Sequence, residues 1–195
     1  GFRVSMKADG MKVHPLPLNT FYKEKNINVI NGYTNGDGYA YEVHTLSNPA
    51  ITVLQDEYVR KVIETVGDFD NIIYEISNES HGGSTRWQYH MINLIKQIEG
   101  SRKIQHPVWM SFQWDGVDGM GTNKALFESD AEAISPSHHI VGEDYRNNPP
   151  LADGSKVVIT DTDHLWGIGG DAIWVWKSFT RGLNPIFMDR YLENS

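Results

Sequence analysis

The sequence has no cysteine among its 195 residues. That removes a disulfide framework and any thiolate nucleophile or ligand, and it leaves the compartment open. Basic residues number 17 against 25 acidic ones and nowhere form a run. With a net charge of −8, the chain offers no electrostatic footprint to nucleic acid or to an anionic membrane. No apolar stretch approaches the ~20 residues that a membrane-spanning helix needs. A basic n-region followed by a long apolar h-region is also missing. These features fit a soluble chain, cytoplasmic or secreted with its leader not among these residues. No internal repeat or low-complexity tract occurs. The absence of a Gly-x-Ser-x-Gly elbow argues against a Ser-His-Asp hydrolase.

What is present suffices for one domain, residues 1–195, with a real core. Hydrophobic residues make up 39% and charged residues 22%, the balance of a globular chain. The six Trp and nine Tyr serve either core packing or the stacking of sugar rings, whose C–H faces are flat. Phe2–Met6 reads as a short strand. The rest of 1–48 is a long irregular segment, with an Asn/Gly/Asp turn cluster at Asn31–Gly38. In that cluster Asn31, Asn35, Gly36 and Glu42 fall on EF-hand positions, but Tyr33 occupies a required oxygen-ligand position.

Residues 49–195 alternate helices and strands. Asn48 and Pro49 open a helix with Ile51, Leu54, Tyr58, Val62 and Val66 on its apolar stripe, ended by Gly67. Ser84 caps a second, with Trp87, Met91, Leu94, Ile95 and Ile98, ended by Gly100. A short helix is predicted over Asn123–Ala133. A last one, capped by Asp171, carries Ala172, Val175, Trp176 and Phe179. Strands are predicted at 71–77, 107–112, 138–142, 156–160 and 185–188, with a Pro/Gly loop over 147–155 in place of a crossover helix. This alternation argues for a parallel α/β sheet. The run Ile72, Ile73, Tyr74, Ile76 reads as a strand buried on both faces. Strands end on Glu79, Gln113, Glu143, Asp161 and Asp189, and in a parallel barrel those ends share one rim.

The strand ending Ser77-Asn78-Glu79 resembles the fourth strand of the TIM-barrel superfamily of retaining glycoside hydrolases. Together with Asp161-Thr162-Asp163-His164-Leu165-Trp166-Gly167 and Trp176-Lys177-Ser178-Phe179, it is similar to cellulase-like hydrolases of environmental bacteria, over roughly residues 40–190. The resemblance implies an incomplete (β/α)8 TIM-like barrel holding only parallel strands three or four to eight. It implies that Glu79 is the general acid/base and that Asn78 contacts the sugar. The family's second carboxylate is a Glu ending the seventh strand; Asp161 stands there in this chain, with Asp163 the alternative.

Glycoside hydrolysis needs two carboxyl groups across the scissile bond. The shorter Asp leaves open whether the outcome is retaining or inverting. Glu143 and Tyr145 are candidates to orient the second carboxylate. His81, Trp114, His164 and Trp166 are candidates for sugar contacts. The expected partner is a carbohydrate, with no cofactor and no resident metal. An acidic rim does suit a metal as a rival, but the adjacent His138 and His139 would point to opposite faces of a strand. A non-catalytic carbohydrate-binding remnant is the other reading. A barrel of about 250 residues does not fit this length. Two or three amino-terminal strands are therefore expected to be absent, leaving five or six, and the open side to be covered by a second copy in a dimer.

Overall fold

The computed structural model describes residues 2–5, 20–24, 26–34, 41–114, 122–137, 145–150, 152–165 and 171–188. Its strands are β1 (Phe2–Ser5), β2 (Ile72–Glu75), β3 (Ser80–His81), β4 (Val108–Ser111), β5 (Gln113–Trp114), β6 (Ala133–Ser135), β7 (Val157–Asp161) and β8 (Asn184–Ile186). Six of them form one sheet in the order β1-β2-β4-β6-β7-β8, and every neighbouring pair is parallel. The sheet curls without closing, an α/β half-barrel consistent with an incomplete barrel. The parallel order follows from the sequence: each strand is reached by a crossover, and no two neighbours are joined by a hairpin.

Beyond the sheet, β3 pairs with β5 in parallel, Ser80 opposite Gln113 and His81 opposite Trp114. They lie just past the carboxyl ends of β2 and β4, so these two chains separate after the sheet and meet again above it. The periodicity gives no hint of this second pairing, because each segment is only two residues long.

The helices are α1 (Pro49–Val66), α2 (Thr85–Glu99), α3 (Asn123–Glu128), α4 (Thr162–Leu165) and α5 (Ala172–Thr180). Tyr74, Ile76, Val108, Met110, Ile134 and Val158 from the strands pack with Val59, Ile63, Trp87, Met91, Ile92 and Ile95 from α1 and α2. Several expectations are corrected. In α1 the buried residues are Ile51, Val59 and Ile63, and Tyr58 is exposed. The contact face is turned because Gln55, at the same helical spacing, donates to the Val43 carbonyl and accepts from Trp87 Nε1. Asn48 occupies the N-cap position of α1 without capping; its side chain instead donates to the Asn31 carbonyl. Ser84 likewise makes no cap bond and donates to the His81 carbonyl.

The helix predicted over 123–133 stops at Glu128, and Ala133, its last predicted residue, begins β6. Ser129 ends it, bonding the Leu126 carbonyl through its hydroxyl and so drawing the chain out of the helix. The strand predicted at 138–142 lies outside the described residues. Among the described residues of 136–156 there is no helix. Asp171 does cap α5, accepting from Ile173 N at 2.7 Å. However, α5 packs through Trp174 and Ser178, and the stripe with Trp176 and Phe179 faces outward at 66% and 60% exposure.

The amino end of the sheet is tied by a buried polar cluster. Glu99, on the last turn of α2, accepts from His106 Nδ1 at 2.6 Å and from the His106 amide at 2.7 Å. His106 Nε2 meets the Phe69 carbonyl at 2.7 Å. Close by, Glu132 bonds Lys96 Nζ of α2 and the Val108 amide of β4, and its carbonyl accepts from Val157 N of β7. Burial alone would raise the Glu132 carboxyl above 4.5, but the Lys96 ammonium and the Val108 amide outweigh it and hold it lower.

Two outcomes are expected. His106→Ala strands a buried carboxylate and should cost about 3–5 kcal/mol in urea unfolding. Because its carboxyl is held low, Glu132 contributes stability in full above pH 4.5, and that stability is lost as pH falls through the folded value. Lys96→Met should therefore flatten the acid-side fall in stability, by up to about 1 kcal/mol for so exposed a pair. An unchanged acid limb would count against the Lys96–Glu132 link.

Candidate active site

Three neighbouring strands leave the sheet in the same way. Ile76-Ser77, Met110-Ser111 and Ile134-Ser135 each end an apolar run on a serine, and all three serines are fully buried. Ser111 lies opposite Ser135 in register. Its hydroxyl donates to the Ser77 carbonyl at 2.7 Å and accepts from Glu79 N at 3.4 Å. Small side chains here leave room at the rim, and the Ser111 hydroxyl holds backbone that has just lost its sheet partners.

Glu79 sits on this support with φ of 48°, in the left-handed region. For a residue with a Cβ that conformation costs on the order of 1–3 kcal/mol and persists only where surroundings impose it. The turn swings Glu79 inward, so that it is 8% exposed instead of solvated. Asn78 precedes it, half-buried in the same turn.

The second wall comes from β7. Asp161, its last residue, is 7% exposed and accepts from Asp163 N at 2.9 Å. This bond ends the strand and starts α4. The strand therefore does not continue to Asp163, and the alternation expected to put Asp161 and Asp163 on one face does not apply. Instead α4 carries Asp163 and His164 toward Glu79. Glu79, Asp163 and His164 each bring one donor atom to within 4.8 Å of the others. Asp161 stands outside that group. His164 Nε2 lies 3.7 Å from Glu79 Oε1. The ring is fixed from behind by Ser135 Oγ, 3.0 Å from Nδ1, and by the edge-on Phe112 ring at 4.5 Å. Ser137 Oγ holds the His164 carbonyl, and Asn123 clasps Ser137 by both its backbone N–H and C=O.

The other candidates fall in several places. His81 is half-buried on β3, its ring 6.5 Å from that of His44, which in turn lies edge-on to Trp87 at 4.9 Å. Trp114 is the β5 residue paired with His81. Gln113, expected as a polar rim residue, instead buries its amide against the His81 and Gly82 carbonyls, Ser84 Oγ and Thr85 Oγ1, bracing the turn before α2. Tyr145 accepts a bond from Trp174 Nε1 at its carbonyl and so anchors α5. Glu143 and Trp166 lie outside the described residues, as do His138, His139 and Asp189. Sequence reasoning missed the serines, although the strands predicted at 71–77 and 107–112 both carry an apolar-Ser pair near their ends; the third serine follows from β6, which was not predicted.

Glu42, weighed as a calcium ligand, closes its own turn by bonding the Thr34 amide and hydroxyl. The three converging donors, two carboxylates and an imidazole, can do acid/base chemistry or hold a cation. Compared with protein-family models, with curated proteins and with solved structures, the chain matches none.

If the left-handed turn is strained for the sake of the carboxylate, removing the side chain should relieve it. Glu79→Gly is expected to raise the thermal midpoint by about 2–4 °C, the shift for about 1 kcal/mol in a chain of this size. A lowered midpoint would show that the carboxylate's own contacts outweigh the backbone strain.

Proposed function

We propose that this chain is a glycoside hydrolase built on strands three to eight of a TIM-like barrel, acting through Glu79 and Asp163. The observation that carries this reading is the approach of these two carboxyl groups from the ends of β2 and β7, with donor atoms within 4.8 Å. That bound lies well below the roughly 6.5–9.5 Å of inverting enzymes, on the side of retaining ones. It favours a covalent route over direct attack by water.

In this scheme Glu79 protonates the glycosidic oxygen while an Asp163 oxygen attacks the anomeric carbon. The aglycone leaves as an alcohol and the sugar stays as an ester of Asp163. Glu79, now a carboxylate, takes a proton from the water that hydrolyses that ester. Asp161 is a positioning residue, since its bond to the Asp163 amide fixes where α4 begins. Asn78 is suited to a sugar hydroxyl. This assigns the second carboxylate to Asp163, where the family pattern pointed to Asp161.

The open side of the half-barrel is also where the chain would self-associate, as a dimer. Supporting this, Ile173, Trp176 and Phe179 of α5 are exposed, as are Ile186 of β8 and Phe187 and Met188 just after it, and α5 packs against β8. Apolar surface grouped in this way marks interfaces. Pro185 lies within the edge strand and has no N–H to offer, so side chains rather than strand addition would make the contact.

Two experiments test these readings. On aryl glycosides with poor leaving groups, Glu79→Gln should lose ~10²–10⁴-fold in kcat. Asp163→Asn should lose at least as much, and a fluorosugar should label Asp163. Sugar binding without cleavage by the wild type would turn the reading to a binding remnant. In light scattering after size exclusion, the wild type should run as a dimer and Trp176→Glu as a monomer. A monodisperse wild-type monomer would overturn the assembly.

A further inference from the structure

We propose that Glu79, Asp163 and His164 form a binding site for one divalent transition-metal ion, with zinc the best match. The spacing is the first reason. His164 Nε2 and Glu79 Oε1 are 3.7 Å apart, too far for a hydrogen bond. Two ligands of a tetrahedral ion with ~2.1 Å bonds sit about 3.4 Å apart, so small side-chain rotations close the gap. The third donor, from Asp163, lies within 4.8 Å of both, and a rotation of the same kind brings it in.

The mounting of the imidazole is the second, independent reason. Metal-bound histidines keep their far nitrogen hydrogen-bonded, which fixes the ring and its tautomer. Here Nδ1 meets Ser135 Oγ at 3.0 Å, Phe112 packs edge-on against the ring, and the residue is 3% exposed. Nδ1 is the nitrogen engaged by Ser135, and Nε2 is the one on the Glu79 side. The ring is thus held, from residues outside the cluster, in the orientation a ligand needs.

The donor set then selects the ion. Two carboxyl oxygens and one imidazole nitrogen converge there, a donor set that suits a divalent cation. The nitrogen ligand favours zinc and its first-row neighbours over magnesium and calcium, which take oxygen. Three protein ligands leave a fourth position for water, and the part-exposed Asp163 gives the ion a way in.

A bound ion would tie up both the Glu79 carboxyl and the Asp163 oxygen. Zinc would then act as a reversible inhibitor, competing with substrate. This regulatory half rests on the hydrolase reading, whereas the binding itself does not.

Calorimetric titration of chelator-treated protein with zinc chloride, and separately with magnesium chloride, tests the binding. One zinc should bind per chain and magnesium should give no comparable heat. Asp163→Asn and Glu79→Gln should each weaken zinc at least 10-fold while keeping the far-ultraviolet spectrum of the wild type. Wild-type protein that takes up no zinc at millimolar concentration would overturn the site. So would folded Asp163→Asn that binds as tightly as the wild type. In the glycoside assay, zinc should inhibit with a constant matching the calorimetric one. Zinc binding in a protein that cleaves no glycoside would leave the metal site standing and remove only the hydrolase. Cleavage unaffected by saturating zinc would overturn the regulatory half.

Discussion

One hydroxyl group organises the upper end of this fold. Ser111 Oγ gives its proton to the Ser77 carbonyl and receives the Glu79 amide, so it takes over the pairing of β2 where the sheet stops. Without that replacement, the polar backbone of Ser77–Glu79 would be buried without sheet partners, and such groups cost about 1–3 kcal/mol each when unmet. With it, the chain can turn sharply inside the protein. The left-handed backbone at Glu79 follows, and with it an inward-facing carboxylate. Ser135 repeats the arrangement one strand along, holding His164 in place of a backbone. The site is thus built by hydroxyls on strand ends, and the charged groups rest on them.

The two ends of the sheet divide their duties. At the amino end, Glu99, His106, Glu132 and Lys96 link α2, β4, β6 and β7 through bonds that are each satisfied on both sides. At the carboxyl end Glu79, Asp163 and His164 converge, and Glu79 takes a left-handed backbone. Stability concentrated below lets the upper rim hold an arrangement that would be unfavourable alone.

Several strand positions were legible because a parallel sheet buries most of the side chains of its strands. Runs such as Ile72–Ile76 and Val157–Thr160 stand out against polar flanks, and both lie in the sheet. Helix existence was legible too, but helix orientation was less so. In α1 a polar residue, Gln55, has its place on the buried side because both ends of its amide are met, which a count of apolar residues cannot see. In α5 the apolar stripe faces outward, since nothing in this chain covers it among the described residues. The short β6 was hidden by a preceding helix of similar composition. At the site, Glu79 was readable from its strand. The choice between Asp161 and Asp163 turned on one backbone bond, the cap that converts strand to helix at Thr162. An Asp-x-Asp sequence is compatible with either outcome, and a two-residue alternation was the wrong geometry to apply.

The outward face of α5 has an optical consequence. Trp87, Trp109 and Trp174 are almost wholly buried, whereas Trp176 stands in solvent with Phe179 edge-on to it at 6.0 Å. An indole in water emits to the red of one in an apolar interior and is open to collisional quenchers such as acrylamide. The chain therefore carries a native fluorophore at its uncovered edge, spectrally distinct from those that report its folding. Anything that comes to rest on that edge would announce itself as a blue shift and a loss of quenching, with no label attached.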